Sequence, residues 1–188
     1  VSLPWTFDAQ IPTERLTLRP MTADDLEDVD AYQSRQDNHI YLLHDARSRD
    51  EVIEAIEQYR AATQLADDDD WIQPAVELDG RVIGQMYLKI VSVEHRGAEV
   101  GWVFHPDFHG KGYATEAAEA ILELAFGELG MHRVRAELDP LNTASIALCR
   151  RLGMREEAHF VKDLMIRGEW GDTGIYAILE EEWHARQS

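Results

Sequence analysis

Residues 98–126 read AEVGWVFHPDFHGKGYATEAAEAILELAF. The alternating run Ala98–Phe104 predicts a strand. Ala114, Ala117, Ala118, Ile121, Leu122, Ala125 and Leu129 then recur at helical spacing, with Glu116, Glu119, Glu123 and Glu128 mostly off that stripe. Between the two lies His109-Gly110-Lys111-Gly112. A strand must therefore become an amphipathic helix within a few residues, around two glycines. A helix N-terminus leaves backbone N–H groups unpartnered and carries partial positive charge. The junction is either a tight turn or a cradle for a phosphorylated ligand.

The flanking segments predict how this unit is embedded. RLTLRP (15–20) alternates like a short strand. TADDLEDVDAYQSRQ starts at a cap-like Thr22 and has acidic first-turn residues, as a helix should. SRDEVIEAIEQYRAATQLA places Val52, Ile56 and Tyr59 at helical spacing. WIQPAVEL and RVIGQMYLKIVSV read as strands joined at Asp79-Gly80, a strong hairpin signal. The four aspartates at 67–70 read as a solvated loop. HRVRAEL (132–138) is a further strand. Asn142 can cap a helix that ends near Leu152 and stops at Gly153. REEAHFVKDLMI and IYAILEE read as two last strands around the turn RGEWGD. The expected order is β-α-α-β-β-β-α-β-α-β-β: one α+β domain over 1–188 with a mixed, mostly antiparallel sheet.

Two common phosphate motifs are excluded. A P-loop needs a serine or threonine after its lysine, and Lys111 is followed by Gly112. A dinucleotide fingerprint needs a third glycine where Thr115 stands, and an antiparallel meander does not suit that fold.

His109-Gly110-Lys111-Gly112-Tyr113-Ala114 resembles the [Q/R]-x-x-G-x-[G/A] loop of the GCN5-related N-acetyltransferase (GNAT) superfamily. Asn142-Thr143-Ala144-Ser145, followed by Leu152-Gly153-Met154, is similar to a motif of the RimJ/RimL-type ribosomal-protein N-terminal acetyltransferases. So is the ending Gly171-Asp172, Tyr176 and Glu182-Trp183. The resemblance implies acetyl-CoA as co-substrate, with Gly110, Lys111, Gly112, Tyr113 and Ala114 on its pyrophosphate. It also implies a splayed strand whose free backbone groups at Trp102, Val103 and Phe104 hold the pantetheine and the carbonyl. Asn142 would hold the cofactor from the far side. His109 stands where Gln or Arg is usual and can still donate a hydrogen bond. The tyrosine that many relatives offer the departing thiolate is missing, and Ser145 takes that place.

The implied reaction joins an amine to a thioester. A lysine-like amine, pKa ~10.4, is neutral about once in 10³ molecules near pH 7.4, and an α-amine in roughly a fifth to a third. Glu99, on the strand beside the expected thioester, is the first candidate base, and Glu137 on the next strand is its rival. Ser145 is either the acid or merely a polar residue in a capped first turn. Trp71, Trp102 and Trp170 line an acceptor groove or belong to the core. Cys149 reads as a small core residue.

Net charge is −18, from 18 Lys and Arg against 36 Asp and Glu. Such a chain repels nucleic acid and anionic membrane and attracts cations. A cationic amine acceptor is therefore expected, either a protein N-terminus or an aminoglycoside or polyamine. The loop says little of the acyl chain, so succinyl-CoA stays open, as does an acyl-CoA sensor without catalysis. No run approaches the ~20 apolar residues of a membrane span. VSLPWTFDAQ lacks a signal peptide's basic and apolar regions. A cytoplasmic protein is expected. The histidines show no metal-site spacing, so no metal is expected. The edge of the last strands leaves a homodimer open.

Overall fold

The computed structural model describes residues 3–186. The strands are β1 (Trp5–Thr6), β2 (Ile11–Pro12), β3 (Thr17–Arg19), β4 (Gln64–Leu65), β5 (Trp71–Ile72), β6 (Ala75–Leu78), β7 (Arg81–Ser92), β8 (Gly97–Phe104), β9 (Arg133–Leu138), β10 (Arg155–Ile166) and β11 (Glu169–Leu179). Helices α1 (Leu26–Gln33) and α2 (Arg49–Ala61) lie between β3 and β4. Helix α3 (Tyr113–Glu123) follows β8, α4 (Thr143–Arg151) follows β9, and α5 (Glu180–Arg186) follows β11.

Nine strands form one sheet in the order β10-β11-β9-β8-β7-β6-β3-β2, with β5 also paired to β7. All pairs are antiparallel except β8 with β9. The expected α+β class with a mostly antiparallel sheet is the observed one. Asp79 and Gly80, at φ 50° and 79°, make the β6–β7 hairpin turn the sequence predicted.

The parallel pair matters most. β8 and β9 are in register only from Gly97 to Glu99 against Arg133 to Arg135. Beyond that, β8 stays with β7 as far as Phe104 opposite Gly84, and β9 stays with β11 as far as Leu138 opposite Gly174. The two strands therefore splay apart and open a gap through the sheet.

Side chains alternate across this gap. Ala98, Val100 and Phe104, with Val134 and Ala136, join the core under α3 and α4. Val103 packs with Val29, Tyr32 and Val52 of α1 and α2 on the other face. Ala117, Ala118, Ile121 and Leu122 are completely buried and fix α3 to the first face. Burying Ile121 and Leu122 contributes roughly 1.5–3 kcal/mol each.

Several local readings are corrected. WIQPAVEL is two short strands, interrupted at Gln73-Pro74, where proline removes a ladder donor. The α-helical pattern passes into a π-helical turn at Leu124–Glu128, and Leu129 is buried beyond it. The last hairpin turn is only Arg167-Gly168, because β11 begins at Glu169. Helix α5 starts where IYAILEE read as strand. The aspartate run is the solvated loop the sequence predicted, and its side chains also anchor it. Asp70 accepts from the amides of Ala66 and Asp67, Asp68 accepts from Val93, and Asp69 pairs with Lys89 at 2.6 Å.

Candidate active site

The loop after β8 turns through Pro106–Phe108 and reaches Gly110 and Gly112, at φ 73° and 83°. These left-handed conformations suit glycine and let the loop curl so that its amides face outward at the start of α3. Among the described residues, no acceptor meets the backbone amides of Gly110 to Ala114. That is the arrangement a polyanion needs. The loop lines a cleft of about 530 Å³ with Arg15, Phe104, Phe108, Thr115 and Arg151.

Arg15 braces the loop. Its Nη1 donates to the Lys111 carbonyl at 3.0 Å, and its guanidinium lies 4.6 Å over the Tyr113 ring. Glu116 holds Arg15 in turn, accepting from Nε at 2.7 Å, from the Arg15 amide at 2.7 Å and from the Thr13 hydroxyl at 2.5 Å. Burial pushes the Glu116 carboxyl up, but the donors from Thr13 and Arg15 outweigh it, and the net shift is downward.

On the same face, α4 meets the gap. Asn142 caps α4, its side-chain oxygen accepting from the Ser145 amide at 3.0 Å. The Trp102 indole donates to Ser145 Oγ at 3.2 Å across the opening. Ser145 is an acceptor in that bond, which leaves its own proton available to a third group. Cys149 is buried, which pushes its thiol up to about 12 and leaves it no thiolate character.

The opposite face of the gap carries carboxylates. Arg135 bridges Glu99 at 3.0 Å and Glu137 at 2.7 Å. Burial first, then the charge of Glu99, raises the Glu137 carboxyl above the usual range. Trp71 packs against Tyr59 and Tyr87 beside this row, with ring centroids 6.2 and 6.1 Å apart.

A loop of unpartnered amides and a carboxylate row thus lie on opposite faces of one splayed sheet. Residues 15–155 match the acetyltransferase (GNAT) domain family. The chain belongs to the GNAT acetyltransferase family. An uncharacterized N-acetyltransferase of Bacillus subtilis, YnaD, is 49% identical over 86 residues, 46% of this chain and 51% of that protein. The spermidine N(1)-acetyltransferase of Escherichia coli K12 is 27% identical over 136 residues, 69% of this chain and 73% of that one. The crystal structure of a GNAT-family acetyltransferase from Bacillus anthracis superposes with a TM-score of 0.82 at 33% identity, covering 92% of this chain and 99% of that one.

Within this GNAT enzyme the expected residues are not all oriented as the motif suggested. The His109 ring points back, its Nε2 donating to the Phe104 carbonyl at 3.0 Å, so one backbone group expected to be free is occupied. Lys111 Nζ is held by the Asp107 carbonyl at 2.9 Å and lies 5.2 Å from the Phe108 ring centroid. The oxygen of Asn142 serves as a cap, which leaves its second lone pair and its amide nitrogen for a ligand. Trp102 reaches the gap, Trp71 lies on the carboxylate face, and Trp170 is 59% exposed on the last hairpin. Sequence reading missed Arg15 and Arg151. Both join the cleft by folding, from positions 97 residues before Gly112 and 39 after it, and no local motif marks them.

Proposed function

We propose that this enzyme transfers an acetyl group from acetyl-CoA to a primary amine on a cationic molecule. The observation that carries this reading is the gap between β8 and β9, with donors on one face and carboxylates on the other. The amides of Gly110 to Ala114, with Arg15 and Arg151, suit the phosphates of acetyl-CoA. The strand edge at Trp102–Phe104 suits its pantetheine arm. Acetyl-CoA supplies the thioester, and holding both substrates at one gap supplies much of the acceleration.

The amine enters from the carboxylate face and loses its proton, directly or through water, to Glu137 or Glu99. A carboxylate raised towards neutrality is the better base, which favours Glu137. The amine nitrogen attacks the thioester carbonyl, and the adduct nitrogen gives up its surplus proton to water. The C–S bond breaks, and Ser145 donates its proton to the departing sulfur and regains one from water, leaving the acetamide and the free CoA thiol. The net charge of −18 favours cationic acceptors.

The Asn142–Ser145 and Leu152–Met154 motifs support a protein N-terminus as acceptor. The likeness to a spermidine acetyltransferase supports a polyamine. The domain spans 1–188 in this reading, and the enzyme works in the cytoplasm. The test is thiol release from acetyl-CoA and from succinyl-CoA, with spermidine, an aminoglycoside and serine-initiated peptides as acceptors. Tight CoA binding with no release above background for any amine would favour a sensor instead.

A further inference from the structure

The segment between α1 and α2 crosses the splayed gap, and one residue of the distant β10–β11 hairpin holds it there. At one end, Arg35 reaches Asp107 in the turn after β8, at 3.6 Å. At the base, Arg47 donates to Gln33 and to the Tyr59 hydroxyl, both at 2.6 Å, and Gln33 donates to Gln85 of β7. At the far end, Arg167 gathers the loop. Its Nη2 donates to the carbonyls of His39, Leu42 and His44 at 2.8, 3.2 and 2.9 Å, and its Nε to Asp45 at 2.5 Å. The same hairpin carries Asp163, whose charge is felt by Glu137. The loop therefore runs from the turn after β8 to the β10–β11 hairpin, which continues the sheet on the β9 side of the gap.

The turn itself argues for the side chain. Arg167 and Gly168 have φ 50° and 82°, the two left-handed residues of a type I′ hairpin. Asn-Gly is the favoured pair there. A long cationic residue in the first position carries a backbone cost that its contacts offset.

We propose that Arg167 is a positioning residue of the acceptor site: it pins the α1–α2 loop onto the hairpin as a roof over the gap, and so sets which amines reach the carboxylates. This rests on the amine-acetylation reading above. The decisive variant is Arg167→Asn, which suits the type I′ turn better than arginine yet removes every contact to the loop. Asp45→Asn, which removes only the ion pair, should show a smaller effect in the same direction.

Two readouts keep the failures apart. The first is amide hydrogen exchange of residues 39–47 with acetyl-CoA bound and no amine present. R167N should accelerate it about tenfold. The second is steady-state kinetics with spermidine and with the dipeptide amide Ser-Ala-NH2. KM for the amine should rise about fivefold, while the Kd of acetyl-CoA stays within about twofold. Unchanged exchange overturns the proposal. Faster exchange with unchanged KM overturns the positioning role. If the unaltered protein acetylates neither amine, the reading of the reaction fails by itself, and the exchange measurement still decides whether Arg167 holds the roof.

Discussion

Trp102 Nε1 donates to Ser145 Oγ at 3.2 Å, joining β8 to α4 across the gap in the sheet. The bond fixes the polarity of the hydroxyl. With one lone pair engaged by the indole, the Ser145 proton turns away from Trp102, and in the proposed mechanism it serves the departing sulfur. Ser145→Ala should therefore lower kcat by about 10²-fold, the usual size of a lost proton donor. The Kd of acetyl-CoA, measured by calorimetry, should stay within about twofold. Parallel losses in kcat and in cofactor affinity would make Ser145 a structural residue. Trp102→Phe should produce a smaller kcat loss, because it frees the hydroxyl without removing it.

The two carboxylates on the other face make separable predictions. Glu137 is raised by burial and by Glu99, so its basic form is present only above a higher pH than an ordinary carboxylate needs. The acid limb of kcat/KM should titrate above the usual carboxylate range. Glu137→Gln should lower kcat/KM by about 10² and abolish that limb. Glu99→Gln removes the neighbouring negative charge and should move the same limb to lower pH. A limb that persists unchanged in E137Q would eliminate Glu137 as the base.

Glu116 ties stability to pH through the loop brace. Its folded pKa is lowered, so it contributes stability that is present above the unfolded value and is lost as pH falls through the folded one. Its side chain is only 14% exposed. Glu116→Gln should cost about 1–3 kcal/mol at pH 7, read as a shift in the denaturation midpoint. The difference between the two proteins should shrink as pH falls below about 4.5, where the carboxylate protonates in the unfolded chain. A difference independent of pH down to about 3 would remove the ion pair from the explanation. The acetyl-CoA affinity of E116Q should also fall, because Arg15 loses its anchor.

The brace shows what the sequence could and could not reveal. Periodicity places Ala117, Ile121 and Leu122 on a helix, and the glycines mark the cradle, because these signals are local. Arg15 is invisible in that reading. Its meeting with Lys111 and Glu116 depends on the register of the N-terminal segment against α3. The same holds for Arg167, which read as part of a six-residue turn and instead occupies a two-residue one. His109 was assigned to the ligand by motif position, and the nearby Phe104 carbonyl competed successfully for its ring. The split of β8 from β9 was expected only through family resemblance. Composition and alternation in either strand do not encode it, since it arises from each strand following a different partner.

Gly84 offers a test of that splay. It stands opposite Phe104 at the last paired position of β7 and β8. A Cβ built there would lie 2.6 Å from the Phe104 ring and 2.7 Å from the Val103 carbonyl. The carbonyl is backbone and cannot rotate away, so Gly84→Ala must push the end of β8 outward. That end carries Phe104, whose carbonyl holds His109 and whose ring lines the cleft proposed for acetyl-CoA. The expected result is a stability loss of about 1–3 kcal/mol from overpacking, together with an acetyl-CoA Kd raised about tenfold, on the view that the cleft moves with the strand. Pairing it with Phe104→Leu, which removes the obstructing ring edge but not the carbonyl, should restore part of the stability and little of the affinity. Full recovery of both would place the conflict in the side chain alone and leave the strand end free of strain.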